Sequence, residues 1–194
     1  GIRTDLFMQR NNTEWHKPLK VIQVSRLDHE KKGQDLLIEA ASKLKGLIDV
    51  TFIGDGASMK FLQQFAKDQN VDDFVHFLGK QTQSYIAQQL HEYDLFVQPS
   101  RWEGFGLTVA EAMAAKIPVL VSEGQGPAEV TCGERYGWLF KNGDSEDLAM
   151  RIKQIMLDKD NVLNKAEAAC HYVKDTYDVS VTARNYLENY PYKS

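Results

Sequence analysis

Asp94-Leu95-Phe96-Val97-Gln98-Pro99-Ser100-Arg101-Trp102-Glu103-Gly104-Phe105-Gly106-Leu107-Thr108-Val109-Ala110-Glu111 passes from an apolar strand pattern through a polar turn into an apolar helix pattern. Residues 94–98 read as a short buried strand, and the spacing predicts a helix over 108–115. The amides that open such a helix lack intrahelical acceptors, and the aligned peptide dipoles favour negative charge there. Yet two carboxylates, Glu103 and Glu111, flank this start, separated by seven residues that include Gly104 and Gly106. A ligand offering a diphosphate to the amides and hydroxyls to the acids resolves the conflict, and a nucleotide sugar is such a ligand.

Working outward, the same alternation of short apolar run and helical period recurs. Strands are expected at 20–25, 49–53, 74–78, 94–98 and 117–122, with a sixth, shorter piece at 137–140. Between them, residues 34–44 place Leu37, Ala40, Ala41 and Leu44 on one face, and residues 57–70 do the same with Phe61, Leu62, Phe65 and Ala66. A shorter helix is expected at 84–92. Asp144 or Ser145 is placed to cap a helix striped by Leu148, Ile152, Ile155 and Met156, with Glu146 and Asp147 matching its dipole. Helices at 161–175 and 180–190 follow without an intervening strand, the second bearing Val181, Tyr186, Leu187 and Tyr190. The pattern specifies an α/β fold: a Rossmann-like open parallel sheet of about six strands with helices on both faces. The polar first 17 residues read as an incoming connector, and no repeat is visible.

Composition narrows the function. The chain has 194 residues, 43% apolar and 26% charged, which suits one soluble globular domain. A net charge of −4 with no basic block argues against nucleic acid. Two widely spaced cysteines, Cys132 and Cys170, give no disulfide framework or zinc site and fit a reducing, cytoplasmic setting. No apolar run approaches the roughly 20 residues that span a bilayer, which leaves peripheral attachment at the inner membrane face open.

In open α/β sheets, ligands bind outside the carboxyl ends of the strands. The loop after the first strand, Ser25-Arg26-Leu27-Asp28-His29-Glu30-Lys31-Lys32-Gly33, offers the planar fork of Arg26 and the compact charge of Lys32 to a phosphate. His29 is expected to be a solvent-exposed spectator. Gly54-Asp55-Gly56 lacks the third glycine of a dinucleotide fingerprint and reads as a tight turn and helix cap. Asp158-Lys159-Asp160 follows a helix and reads as a solvated turn rather than a magnesium site. Glu129, after Pro127, is placed either to touch a ligand or to cap a short helix.

These residues together resemble the C-terminal, donor-binding half of retaining glycosyltransferases of the two-Rossmann GT-B type, in the family that includes bacterial capsule, lipopolysaccharide and phosphatidylinositol sugar transferases. The resemblance rests on Arg26-Leu27 with Lys32-Gly33, Phe52-Ile53-Gly54-Asp55-Gly56, Phe77-Leu78-Gly79, residues 94–100 running into 103–113, Pro118-Val119, Pro127-Ala128-Glu129 and Gly143-Asp144. It implies that Arg26 and Lys32 hold the donor diphosphate, that Glu103 binds sugar hydroxyls and that Glu111 accepts from the ribose. Backbone amides around Phe105, Gly106, Leu107 and Thr108 would reach the sugar and distal phosphate, and the base would lie near Gly79 and Lys80. Lys32 stands one residue further from Arg26 than is common, so Lys31 could share or take its role. Lys116 stands where the family usually has glycine in a left-handed conformation, at about 1 kcal/mol of strain.

The same resemblance implies no metal and no cofactor. Its partners would be a nucleotide-sugar donor and an acceptor-binding domain preceding residue 1, with residues 1–17 as connector, 18–175 as the nucleotide-sugar-binding domain and 176–194 as a helix returning to that other domain. Tyr186, Leu187, Tyr190 and Tyr192 would then expose apolar surface. Three further readings compete: a binding module without catalysis, half of a nucleotide-sugar epimerase, and a glycoside hydrolase using Glu103 and Glu111. The hydrolase leaves Arg26, Lys32 and the helix start unexplained.

Overall fold

Strands buried on both faces need apolar side chains on both, and the six apolar runs supply them. In the computed structural model, which describes residues 1–189, they become β1 (Leu19–Val24), β2 (Ile48–Ile53), β3 (Val75–Phe77), β4 (Leu95–Gln98), β5 (Val119–Ser122) and β6 (Trp138–Phe140). They form one sheet in the order β3-β2-β1-β4-β5-β6, with every neighbouring pair parallel. The longest register runs from Leu19 opposite Ile48 to Val24 opposite Ile53. From β1 the chain winds outward through β2 and β3, and from β4 it winds the other way. The sheet therefore has its switch point between β1 and β4.

The helices are α1 (His29–Lys32), α2 (Gln34–Lys43), α3 (Met59–Asp68), α4 (Gln83–Gln89), α5 (Leu107–Ala114), α6 (Gly126–Val130), α7 (Ser145–Leu157), α8 (Lys159–Tyr177) and α9 (Val179–Asn189). Leu37 and Ala40 of α2, Leu62 of α3 and Ile152 of α7 bury against Val21 and Val50 on one face. Ile86 of α4, Val109 and Met113 of α5, and Val173 of α8 bury against Ile22 and Phe96 on the other. Asp144 is the cap of α7, its carboxylate accepting from the Asp147 amide at 3.0 Å. Among the described residues, no helix is long and apolar enough to cross a membrane.

Several local expectations need correction. The segment expected as one helix over 84–92 ends at Gln89 and tightens into a 3-10 turn, Leu90–Glu92, before the chain drops into β4. Phe61 does not join Leu62 and Ala66 in the core: it is exposed and stacks on His29, with ring centroids 4.1 Å apart. Asp158 caps α8 only by position, and Lys159 and Asp160 are already helical, so the expected solvated turn is a helix start. Lys116 does adopt the left-handed conformation, φ +60°, and its ammonium lies 3.3 Å from Glu167.

The first residues are more firmly held than their polarity suggested. Ile2 and Phe7 are buried. The Ile2 amide donates to the Tyr177 carbonyl at 2.7 Å, and its own carbonyl accepts from Val179 at 2.8 Å. Arg10 reaches Asp94, just before β4, at 2.8 Å, both side chains being essentially inaccessible. Asp94 also accepts from the backbone amides of His16 at 3.1 Å and Lys20 at 2.9 Å. At the other end, no residue of α9 is buried, and Tyr186 and Leu187 are well exposed. Tyr190 and Tyr192 lie outside the described residues.

Candidate functional site

The carboxyl ends of β1 and β4, on either side of the switch point, open a cleft of about 390 Å³. Arg26 and Lys32 line it from the β1 side, and Glu103, Phe105, Gly106 and Thr108 from the β4 side. Residues 71 apart in the chain thus meet: the Lys32 ammonium is hydrogen-bonded to a Glu103 carboxylate oxygen. Lys31, expected to share or take the role of Lys32, does not line the cleft; its side chain is two-thirds exposed and lies 3.8 Å from Asp28.

Buried glutamines that the motif reading passed over hold this arrangement. Gln23 in β1 donates to the Ser25 hydroxyl at 3.1 Å and to the Lys32 carbonyl at 3.0 Å. Gln34 at the start of α2 donates to the same hydroxyl at 3.0 Å and to the Arg26 carbonyl at 2.8 Å. Gln98, the last residue of β4, donates to Ser100 at 2.7 Å and to Glu103 at 3.3 Å. A signal for them was present: an amide inside an otherwise apolar strand must find partners when buried, and Gln23 and Gln98 sit near the ends of the two switch-point strands. Arg101, also unassigned from sequence, makes a bidentate pair with Asp35, both contacts 2.8 Å, and donates to the His29 carbonyl at 2.8 Å. It ties the loop after β4 to the loop after β1.

The turn after β2 completes the wall. A Cβ on Gly54, at φ +139°, would lie 1.9 Å from the Ser25 carbonyl oxygen, so this glycine allows the β2 turn to press on the β1 loop. The Leu27 amide donates to the Asp55 carbonyl at 2.8 Å, and the Ser58 amide to the Leu27 carbonyl at 3.0 Å. The glycine pair therefore makes the expected tight turn, but the position preceding α3 is occupied by Ser58 instead of Asp55. His29 is not a solvent-exposed spectator: it is half-buried, and its Nδ1 lies 2.8 Å from the Ser58 hydroxyl.

Gly106, φ +81°, is the residue preceding α5, and the free amides of that helix start face the cleft beside Leu107 and Thr108. Glu111, one turn in, is half-buried and accepts from the Gln83 side chain at 2.8 Å. Burial pushes its carboxyl above the ordinary glutamate range, while the Gln83 bond opposes that rise. Gly79 and Lys80 follow β3, two strands from β1, and do not line the cleft itself; the Gly79 carbonyl accepts from Gly54 at 2.9 Å. Glu129 is exposed on the short α6 and borders a neighbouring trough instead of the cleft.

Residues 7–173 match the family described as Glycosyl transferases group 1. The chain belongs to this family. It is 31% identical over 197 residues to the amylovoran biosynthesis glycosyltransferase AmsK of Erwinia amylovora, covering 97% of the chain and 48% of that protein. It is 30% identical over 194 residues to an N,N'-diacetylbacillosaminyl-diphospho-undecaprenol alpha-1,3-N-acetylgalactosaminyltransferase of Campylobacter jejuni, again covering 97% and 48%. Among solved structures, Anabaena Alr3699/HepE in complex with UDP and glucose superposes with a TM-score of 0.88 at 24% identity, over 97% of this chain and 55% of that one. The C-terminal domain of the group 1 glycosyl transferase LpcC of Francisella tularensis gives 0.80 at 23% identity, over 92% and 100%. These structural likenesses establish the GT-B-type, Rossmann-like fold of this group 1 chain, which spans about half the length of the curated relatives it matches.

Proposed function

We propose that this chain is the donor-binding half of a retaining glycosyltransferase that takes a sugar from a nucleoside diphosphate, UDP before GDP, for polysaccharide or glycolipid synthesis. The observation that carries the reading is the cleft at the β1/β4 switch point, where Arg26, Lys32, Glu103 and the free amides of α5 converge. Two cations and a helix start suit a diphosphate. Glu103 suits the sugar hydroxyls and Glu111 the ribose. Family membership supports a transferase over an epimerase or a hydrolase, and likeness to the amylovoran biosynthesis glycosyltransferase AmsK and to the putative colanic acid biosynthesis glycosyltransferase WcaL of Escherichia coli supports a polysaccharide product. UDP in the Anabaena structures favours that nucleotide.

In the cleft Lys32 neutralises Glu103. An arriving diphosphate offers Lys32 a second anion, so donor binding redistributes that ammonium between the acid and the leaving group. Charge grows on the diphosphate as the glycosidic bond breaks. Arg26, Lys32 and the α5 amides are the groups that meet it, with no metal required, each preorganised donor contributing about 3 kcal/mol. The acceptor would be held by a domain N-terminal to this chain, with residues 1–17 and α9 as the connections to it, so the 194 residues alone bind donor without turnover. An enzyme acting in this way would work in the cytoplasm or peripherally on the inner membrane face.

Calorimetry of the chain with UDP, UDP-glucose, UDP-N-acetylglucosamine and GDP-mannose tests the reading. Saturable binding of at least one is expected, and silence from all four overturns it. In the full-length enzyme, Arg26→Ala should lower turnover by about a hundredfold or more; unchanged turnover removes Arg26 from the site.

A further inference from the structure

Beside the cleft, on the other side of the Lys32–Glu103 pair, lies an open trough of about 680 Å³. Trp102, Gly104, Lys31, Gln125 and Glu129 line it, and it shares only Lys32 and Glu103 with the cleft. Trp102 is 76% exposed. Its indole offers a large flat apolar face with a polar edge to whatever enters the trough. The backbone that carries it is anchored: the Trp102 amide donates to the Lys31 carbonyl at 3.1 Å, the Arg101 amide to the same carbonyl at 2.8 Å, and the Arg101 side chain is clamped by Asp35. Gly104 adds a second sign. Its φ is not positive, and a Cβ there would meet nothing within 4 Å, so neither backbone nor packing demands glycine. A side chain at 104 would project into open space beside Glu103, which the glycine leaves to a ligand.

We propose that this trough is a pyranose-binding subsite, with a sugar ring stacked on Trp102 and its hydroxyls met by Glu129 and Lys31. The inference rests on the glycosyltransferase reading of the cleft. A hexopyranose has an apolar C–H face and a polar rim, which match the exposed indole and the charged side chains around it. Because Glu103 belongs to both cavities, the ring in the trough adjoins the reacting centre. It is either the outer part of the donor's own sugar or the acceptor's terminal sugar, and both present the same chemistry to Trp102.

The test uses full-length enzyme and the variants Trp102→Ala and Trp102→Phe, the second retaining an aromatic face. Affinities for UDP, UDP-glucose and UDP-N-acetylglucosamine are measured by calorimetry. Binding of methyl hexopyranosides is followed by saturation-transfer NMR, with and without saturating UDP. If the ring is the donor's, Trp102→Ala weakens a UDP-sugar about tenfold and leaves UDP unchanged, and Trp102→Phe recovers most of the loss. If it is the acceptor's, both nucleotide affinities hold, the methyl hexopyranoside signal disappears in Trp102→Ala, and Trp102→Phe restores it. Unchanged nucleotide-sugar and saccharide binding in Trp102→Ala overturns the proposal, and a lowered melting temperature in the same variant would assign Trp102 to packing against another domain. Failure of the wild-type enzyme to bind UDP would instead count against the cleft reading, while the saccharide arm without UDP still reports on the trough.

Discussion

Glu111 combines two opposed influences on one carboxyl group. Burial favours the neutral acid, and the Gln83 amide, 2.8 Å away, favours the carboxylate. The folded chain therefore holds this group above its unfolded pKa, so its contribution to stability is fully present below the unfolded value and is lost as pH rises through the folded one. Ligand binding runs the other way. On the ribose role proposed for Glu111, hydroxyls donate to its carboxylate, so UDP affinity should be complete above the raised pKa of Glu111 and fall as pH drops through it, earlier than an exposed glutamate would titrate. Gln83→Leu removes the opposing bond and moves that acid limb upward. The UDP dissociation constant should then rise more at pH 6 than at pH 8, with an upper limit of roughly tenfold or somewhat more from loss of a hydrogen bond to a charged group. Calorimetric pH profiles of the two proteins check this, and superimposable profiles would dissociate Gln83 from ribose recognition.

At the scale of elements, the site depends on how the turn after β2 supports the loop after β1. Gly54→Ala would force a Cβ against the Ser25 carbonyl and push the backbone that carries Arg26. The expected outcome is a loss of about 1–3 kcal/mol in urea unfolding, as for other overpacked sites, together with weaker UDP binding. Destabilisation with undiminished affinity would mean that Arg26 reaches its ligand independently of this turn. The six strands were legible because parallel strands covered on both faces read as mainly apolar runs, even where Lys20, Gln23, Asp49 or His76 interrupts them, and α5 because two glycines and two glutamates mark its start. The four-residue α1 was not. Its charged sequence carries no apolar stripe, and its shape comes from the carbonyls of His29, Lys31 and Lys32, which partners elsewhere in the chain engage. Phe61 was misplaced for a related reason: helical period puts it beside Leu62, but only the arrival of the His29 loop decides what lies over it. The roles of Gln83, Arg101 and Asp35 were equally hidden, since each depends on a partner 28 or 66 residues away.

Across the whole molecule, the cleft and the anchoring of residues 10–20 on Asp94 lie at opposite ends of the strands. Asp94 precedes β4, at the amino ends of the strands, while Arg26, Lys32 and Glu103 follow the carboxyl ends of β1 and β4. Arg10 and Asp94, 84 residues apart, form an inaccessible ion pair there, with the His16 and Lys20 amides supplying further donors to the carboxylate. Removing one partner of such a pair leaves a buried charge short of compensation, which typically costs 3–5 kcal/mol. The remaining amide donors place Arg10→Met near the lower end, at about 3 kcal/mol. The guanidinium also sits over the Trp15 ring, 5.2 Å from its centroid, so the substitution should loosen residues 10–16 together. Because the strands between the two edges are rigidly paired, the UDP affinity of Arg10→Met should stay within about twofold of wild type at temperatures where the variant is folded. Urea unfolding and calorimetry on the same preparation separate the two effects. A variant that unfolds as wild type would make the pair energetically idle, and one that keeps its stability margin but loses UDP would mean that residues 10–16 and the cleft are coupled through the sheet.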